Sequence, residues 1–345
     1  MEKQLKAIGL VSGGLDSALA VAVVKRQGIE VLGLNYFNGF SPGAMRAEML
    51  GEKDMQTFLD RRASDLSQSL GVSVEVIDIS EEYIDLLLKP KHGYGANVNP
   101  CIDCRIYMLK KAKERMEAEG SSFVFTGEVL GQRPMSQHKG SMNTVIRESG
   151  LGGYLLRPLS AKLLPKTVPE EEGLVDREKL LDIQGRSRRR QMALAEELGL
   201  TGYSQPAGGC MLTDENYARK FKDVLDHEGE EMISRRMAVL FAAGRHFRLS
   251  GTVKIVVGRN RMENNYIERD WNGEWLADPI DSPGPTTLTL GDPTDDDLMT
   301  AAAITARYSD TKRESSVRIS LKRAGEERIV DVTPVPDDEL DRYRI

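Results

Sequence analysis

A chain of 345 residues exceeds what one hydrophobic core usually organises, so we expect two or three domains. Hydrophobic residues make up 40% and charged residues 29%, which excludes a fibrous or largely disordered protein. The net charge of −6 excludes a chain that is basic overall, and no apolar run approaches the ~20 residues of a membrane helix. We therefore expect a cytoplasmic protein with no membrane partner.

The first half of the chain alternates strand and helix patterns. An apolar run at residues 6–11 is followed by a Gly-rich turn and by a buried helix pattern at residues 16–26. Strands that alternate with helices predict an α/β fold: a parallel sheet with helices on both faces and ligands at the carboxyl ends of the strands. Further strands are expected at residues 31–36, 72–79 and 123–126, and further helices at residues 55–70 and 105–119.

The alternation weakens after a strand pattern at residues 155–159, and the second half of the chain predicts a smaller, mixed α+β domain. The expected division is a first domain at residues 1–212, a helical connector at 213–246 and the α+β domain at 247–345. Helices are expected at residues 188–198, 214–227 and 230–243, strands at 252–257, 266–269 and 317–321, and a long loop at 278–297.

The Gly-rich turn between the first strand and the first helix is the strongest local signal. Gly13 and Gly14 allow the backbone to approach an anion, at which the following helix directs its N–H groups and positive dipole end. Asp16 would repel a bare phosphate, so its presence favours a magnesium ion that bridges it to a pyrophosphate group. The turn lacks the GxxxxGK(S/T) pattern of kinase-like loops. The predicted nucleotide site comprises Ser12, Gly13, Gly14, Leu15, Asp16 and Ser17.

Three cysteines are the second signal. Cys101 and Cys104 form a CxxC pattern that opens a predicted helix, where the helix dipole should lower the thiol pKa and favour thiolates. Cys210 lies far along the chain behind a Gly-Gly pair. Spacing alone leaves four possibilities open: a [4Fe–4S] cluster on three thiolates, a zinc ion completed by His92 or His138, a persulfide and disulfide relay, or buried cysteines without chemistry.

The six residues of the turn resemble the pyrophosphatase loop of the N-type ATP pyrophosphatases. The order of this loop, the CxxC, residues 126–132, 136–137 and 157–159 resembles the catalytic core of tRNA 4-thiouridine synthetases, over about half of the chain. A CxxC with one distant cysteine resembles the iron–sulfur-dependent branch of tRNA thiolases. The resemblance implies a HUP- or Rossmann-like sheet that binds ATP with Mg²⁺, with Gly127 and Gln132 adding to the ATP site. It also implies that Cys101, Cys104 and Cys210 hold a [4Fe–4S] cluster and act in catalysis with Asp16.

This resemblance implies an ATP-dependent tRNA sulfurtransferase. Such an enzyme adenylates a uridine carbonyl and replaces its oxygen with sulfur, giving 4-thiouridine or 2-thiouridine. The implied partners are tRNA and a sulfur donor, either sulfide or a persulfide derived from a cysteine desulfurase, and a homodimer is compatible with the sequence. Residues 257–265 resemble the RNA-binding domain of NFACT-type proteins.

Two other functions compete with thiolation. An adenylating amidotransferase or ligase that acts on a small substrate would share the phosphate loop but would not need three cysteines. A non-catalytic RNA-binding protein would use the CxxC for a structural zinc ion. Two arginine-rich segments, residues 186–190 and 235–248, are compatible either with RNA contact or with solvated helix faces.

Two carboxylates near these motifs also have alternative roles. Glu128 either orders the nucleotide or the base, or is a buried structural carboxylate in the turn. Asp103 either acts as an acid or base near the sulfur or is a solvated residue at a helix start, and the second role is favoured.

Overall fold

A computed structural model of the chain describes residues 5–51, 55–203 and 209–345. The fold divides into two compact units. Unit 1 comprises Met1–Ser41 and Asp54–Cys210, and unit 2 comprises Pro42–Lys53 and Met211–Ile345. The segment expected as a helical connector, residues 213–246, therefore lies in unit 2, together with residues 42–53, which interrupt unit 1 in sequence.

Unit 1 contains a five-stranded sheet in the order β3-β2-β1-β4-β5, in which every pairing is parallel. Strand order reverses direction at β1, which pairs with β2 on one side and β4 on the other. This is the topological switch point, where open α/β sheets bind ligands beyond the carboxyl ends of the strands. The strands are β1 (Lys6–Leu10), β2 (Glu30–Phe37), β3 (Ser73–Asp78), β4 (Phe123–Thr126) and β5 (Leu155–Leu156).

The helices of the chain, numbered in order, flank the two sheets. The predicted helix at residues 55–70 is confirmed, and the one expected at 105–119 begins four residues earlier, at Cys101. The helices are α1 (Leu15–Lys25), α2 (Pro42–Leu50), α3 (Met55–Leu70), α4 (Glu82–Leu88), α5 (Cys101–Glu119), α6 (Lys139–Ser149), α7 (Val168–Glu171), α8 (Arg189–Glu197), α9 (Glu215–Glu228), α10 (Arg235–Ala242), α11 (Arg261–Asp270), α12 (Asp295–Arg307) and α13 (Asp337–Leu340).

The sheet of unit 1 is buried on both faces because apolar residues alternate between two cores. Ala7 and Phe125 pack with Leu19 of α1 on one face, whereas Ile8 packs with Leu109 of α5 on the other. These residues are at most 1% exposed. The alternation of side chains along a strand thus places helices on both faces, and the predicted α/β fold is confirmed.

Unit 2 has a six-stranded antiparallel sheet in the order β11-β10-β8-β9-β7-β6. Helix α12 packs on it through Leu298 and Ala302, which join a core with Ile319 and Leu321. Helix α2 belongs to this unit, where the guanidinium of Arg269 donates to the Glu48 carbonyl at 2.7 Å. The strands are β6 (Arg245–Arg248), β7 (Lys254–Val257), β8 (Trp275–Pro279), β9 (Thr287–Leu290), β10 (Val317–Arg323) and β11 (Glu326–Val332).

Two sequence predictions in unit 2 are wrong. Residues 266–269, expected as a strand, lie in α11, which begins where the Asn260 side chain accepts from the Glu263 amide at 3.1 Å. Residues 278–297, expected as one loop, include β9 and the start of α12, which has a Thr294 capping box. Within the ranges that the structure describes, no helix combines the length and apolar character needed to cross a bilayer.

Candidate functional site

The Gly-rich turn at residues 12–17, called the phosphate loop below, is held in shape by hydrogen bonds of its own hydroxyl groups. Gly13 adopts a positive φ of 80°, which favours glycine, and Gly14 precedes α1 in an extended conformation. The Ser17 hydroxyl donates to the Gly14 carbonyl at 2.8 Å, and the Gly14 amide donates to the Ser12 hydroxyl at 3.3 Å. The loop therefore lies at the carboxyl end of β1, at the positive end of the eleven-residue α1.

Gly127, the first residue after β4, packs directly against this loop. A Cβ atom at Gly127 would lie 2.5 Å from the Asp16 carbonyl oxygen and 2.7 Å from the Ser17 nitrogen. Both atoms belong to the backbone and cannot rotate away. Only glycine therefore allows the end of β4 to approach the loop this closely.

The Asp16 carboxylate has one oxygen held and one oxygen free. Its Oδ2 accepts from Gln132 Nε2 at 2.6 Å and lies 3.9 Å from a guanidinium nitrogen of Arg188. Its Oδ1 is buried and has no hydrogen-bond partner in the part of the chain that the structure describes. An unsatisfied carboxylate oxygen beside a phosphate loop is the donor that a hard cation such as Mg²⁺ prefers, so the residues present fit this ion.

All three cysteines lie close enough to one buried hydroxyl group to affect its pKa. Tyr83 of α4 is 1% exposed, and its hydroxyl hydrogen-bonds to the sulfur of Cys104. Burial raises the Tyr83 pKa well above its ordinary value, and nearby Cys104, Cys210 and Cys101 raise it further. Cys101, Cys104 and Cys210, from two separate segments, therefore lie in the same region of unit 1.

The expected low pKa of the two CxxC thiols is wrong. Burial raises the pKa of Cys101, and Arg133 and Arg105 offset only part of this effect. Burial also raises the pKa of Cys104, despite the hydrogen bond from Tyr83. Loss of hydration therefore outweighs the charges and hydrogen bonds that favour these thiolates, and in this structure the Cys101 thiol donates to the Asn99 side chain at 2.8 Å.

The zinc alternative is not supported by either histidine. The ring nitrogens of His92 contact Asp103 Oδ1 at 2.8 Å and Glu148 Oε1 at 3.3 Å, and those of His138 both contact Ser141. Residues 5–51, 55–203 and 209–345 contain no group of three or more His, Cys, Asp or Glu side chains arranged to hold a single metal ion. Asp103 is buried rather than solvated, so its favoured sequence interpretation is wrong.

Glu128 joins three elements through buried ion pairs. Its Oε2 accepts from Arg157 at 2.9 Å and from the Thr126 hydroxyl at 3.1 Å, and its Oε1 lies 3.1 Å from Arg105. Burial raises the Glu128 pKa, but Arg105 and Arg157 outweigh it and the pKa falls below its ordinary value. These contacts favour the structural role of Glu128.

The segment after β4 connects the phosphate loop with the cysteines. Gly127 and Gln132 contact the Asp16 end of the loop, as described above. Glu128 pairs with Arg105, which directly follows Cys104, and Arg133 is close enough to Cys101 to lower its pKa. Residues 127–133, termed the bridging segment below, therefore place the phosphate loop and the cysteines beside each other.

Sequence patterns do not identify Tyr83 or Gln191 as part of this site. Tyr83 lies in an apolar helix pattern, and Gln191 lies in the first turn of α8, yet both are at most 1% exposed. A tyrosine or glutamine on the apolar face of a helix needs a hydrogen-bond partner, which is the available signal. That signal does not reveal which partner is contacted.

In unit 2, the arginines of residues 235–248 mostly form internal ion pairs. Arg235 pairs with Glu48 at 2.5 Å, and Arg248 pairs with Asp223 at 2.5 Å. Residues 258–261 and 264–265 instead line an open polar groove together with Arg245. The groove, rather than the whole arginine-rich segment, is the polar surface around the motif at 257–265.

Family models match both halves of the chain. Residues 5–168 match the tRNA methyl transferase HUP domain, and residues 244–344 match the NFACT protein RNA binding domain. The expected HUP-like sheet and the expected resemblance to the NFACT RNA-binding domain are thereby confirmed, and the resemblance to the iron–sulfur-dependent branch stays a prediction.

The chain is also similar to tRNA-thiolating enzymes. The tRNA-specific 2-thiouridylase MnmA of Kineococcus radiotolerans is 34% identical over 104 residues, which is 29% of this chain and 28% of the relative. The enzyme of the same name from Pelotomaculum thermopropionicum is 25% identical over 245 residues, 65% of this chain and 59% of the relative. A solved 4-thiouridine synthetase complex with RNA and ATP is 18% identical, with a TM-score of 0.40, and covers 61% of this chain and 46% of that chain. The chain thus spans 28% to 59% of the lengths of these proteins.

We expect Gly127→Ala to weaken binding of a non-hydrolysable ATP analogue by about tenfold, ~1.4 kcal/mol, because the added Cβ must displace the loop backbone. Isothermal titration calorimetry measures this change. Gly251→Ala is the control, since a Cβ there meets no atom within 4 Å. Unchanged affinity in a folded Gly127→Ala protein would contradict the described packing.

We expect Glu128→Gln to lower the free energy of unfolding by ~3–5 kcal/mol at neutral pH, because two arginines lose their buried partner. The folded pKa of Glu128 is depressed, so its contribution is present above the ordinary pKa and is lost as pH falls through the folded pKa. The difference from wild type should therefore shrink on acidification, as measured by urea unfolding. Glu178→Gln, at a solvent-exposed pair with Lys162, should show neither effect.

Proposed function

We propose that this chain is an ATP-dependent tRNA sulfurtransferase, which adenylates a uridine carbonyl and replaces its oxygen with sulfur. The observation that carries this proposal is the position of the bridging segment. It contacts the phosphate loop through Gly127 and Gln132, and its Arg133 is close enough to Cys101 to lower the pKa of that thiol. A protein that only binds RNA would not need this arrangement. An amide-forming ligase would need the loop but not the cysteines.

Adenylation answers a chemical difficulty, since the oxygen of a uridine carbonyl is a poor leaving group. The carbonyl oxygen attacks the α-phosphorus of ATP, the bond to the bridging oxygen breaks, and pyrophosphate departs. The loop N–H groups and the start of α1 stabilise the departing negative charge. Asp16 would hold Mg²⁺ through its free oxygen, and this ion would offset further charge on the phosphates.

Sulfur then attacks the activated carbon and AMP leaves with the original oxygen. With a persulfide on Cys210, the terminal sulfur forms the new bond. The thiolate of Cys104 next attacks the Cys210 sulfur, which releases the thiocarbonyl and leaves a Cys104–Cys210 disulfide. An external dithiol reduces this disulfide by two electrons and completes the cycle.

We favour a [4Fe–4S] cluster over the persulfide because three thiols from two segments lie close enough to Tyr83 to raise its pKa. Cys101, Cys104 and Cys210 would hold the cluster, which would supply one iron without a protein ligand for sulfide to occupy. The three thiols match this cluster in ligand number and type, but within the described residues they are not arranged around a single metal ion. Reduced thiols are needed in both routes, which supports a cytoplasmic location.

We further propose that the substrate is tRNA and that residues 244–344 contribute to its binding, as the RNA-binding domain match indicates. The names of the curated relatives favour replacement at oxygen 2 of uridine. The sulfur donor is sulfide or a persulfide made by a cysteine desulfurase.

Cys210→Ser should lower tRNA thiolation by about two orders of magnitude, because a sulfur ligand or carrier is lost. Pyrophosphate release in a single turnover with ATP and tRNA should persist, since the phosphate loop is unchanged. Mass spectrometry of digested tRNA and a pyrophosphate assay measure the two steps. Wild-type thiolation by the Cys210→Ser protein would contradict a role of Cys210 in sulfur transfer, and pyrophosphate release without thiolation in both proteins would favour the amide-forming alternative.

Anaerobic purification should yield a brown protein with broad visible absorbance and about four iron atoms per chain. Cys101→Ser should lose this iron, whereas His138→Ala should retain it because that ring contacts Ser141. Iron analysis and absorption spectra test this expectation. Thiolation by an iron-free protein would overturn the cluster and support the persulfide route.

A further inference from the structure

A chain of two amide side chains leads from α8 to the phosphate loop. Gln191 Nε2 donates to Gln132 Oε1 at 2.9 Å, and Gln132 Nε2 donates to Asp16 Oδ2 at 2.6 Å. Gln191 is 0% exposed and Gln132 is 8% exposed. The two hydrogen bonds are therefore largely shielded from water, where their geometry matters most.

The charge of Asp16 fixes the direction of both amides. An ionised carboxylate only accepts hydrogen bonds, so Gln132 must direct its NH₂ group at Asp16 and its oxygen at Gln191. Gln191 must in turn direct its own NH₂ group at that oxygen. Reversal of either amide would place two acceptor oxygens face to face.

These two linked hydrogen bonds hold one oxygen of the Asp16 carboxylate and leave the other without a partner. Arg188, the residue before α8, approaches the same Oδ2 at 3.9 Å. Oδ1 is buried and has no hydrogen-bond partner among the residues described. The carboxylate is thus fixed with its free oxygen available to a cation.

Packing alone does not explain Gln191. The same helix contributes Ala195 to the apolar core of unit 1, with Leu194 packed against it. A buried amide costs free energy unless it is hydrogen-bonded, and an apolar side chain would fill this position without that cost. The Gln191 NH₂ group donates to Gln132, whereas its Oε1 is buried and has no hydrogen-bond partner among the residues described.

We propose that Gln191 is a positioning residue that orients the free oxygen of Asp16 toward the divalent cation bound with ATP. The proposal rests on the proposed function for the presence of that cation. Gln191 contacts neither the cation nor the nucleotide. It acts through Gln132, and the essential property is that Gln191 donates a hydrogen bond to the Gln132 oxygen.

Two substitutions distinguish the effect of hydrogen-bond direction at residue 191 from the effect of side-chain packing there. Gln191→Met removes the donor but keeps the length, and Gln191→Glu replaces the donor with an acceptor. In Gln191→Glu, Gln132 turns its NH₂ group toward the new carboxylate and presents its oxygen to Asp16, which repels it. We expect Mn²⁺ affinity to fall ~10-fold in Gln191→Met and closer to ~100-fold in Gln191→Glu.

The measurement is electron paramagnetic resonance of free Mn²⁺ in titrations of the full chain with a non-hydrolysable ATP analogue. Metal-free binding of the analogue, measured by calorimetry, should change much less than Mn²⁺ binding, because the loop backbone is intact. Met192→Leu is the matched control on the same helix, since Met192 is 59% exposed. No tRNA or sulfur donor is present, so failure of thiolation would not affect this result.

Wild-type Mn²⁺ affinity in both variants would overturn the proposal. It would also be overturned if Gln191→Glu bound Mn²⁺ as well as wild type while Gln191→Met did not, since direction would then be irrelevant. Equal weakening of Mn²⁺ and metal-free analogue binding would show a general loss of loop structure and would likewise contradict a positioning role.

Discussion

The close approach of Gly127 to the backbone of Asp16 and Ser17 is the constraint on which the site depends. It joins the carboxyl ends of β1 and β4 at the point where strand order reverses. Only backbone atoms form this contact, so no side-chain rotation can relieve it. The phosphate loop and the bridging segment therefore keep a fixed position relative to each other. The phosphate loop and the cysteines near Tyr83 therefore lie in one region of unit 1.

Burial determines the electrostatics around this contact. Glu128 remains charged because two arginines compensate its lost hydration, whereas the CxxC thiols have weaker compensation and their pKa values rise. Neutral thiols resist unproductive oxidation, since the thiolate is the reactive form.

Local sequence signals predict much of the fold and of the candidate site. The features that depend on contacts between distant residues could not be predicted from the sequence. The loop at residues 12–17 follows from glycine freedom and helix polarity, and the sheet follows from alternating strand and helix patterns. The strand expected at residues 266–269 failed because Tyr266 and Ile267 bury one face of α11, a pattern too short to separate helix from strand. The prediction of low thiol pKa values was wrong because an argument from the helix dipole omits burial. Gln191 was missed because its hydrogen-bond partner lies 59 residues away in the sequence.

Transfer of the uridine oxygen to AMP is the central chemical event of the proposed reaction, and isotope labelling follows it directly. A tRNA substrate whose uridine carbonyls carry oxygen-18 would be thiolated in a single turnover with ATP and a sulfur source, and the products analysed by mass spectrometry. Adenylation of the carbonyl requires one oxygen-18 atom in AMP for each thiouridine formed. Thiouridine accompanied by unlabelled AMP, with the label in water or pyrophosphate, would contradict it.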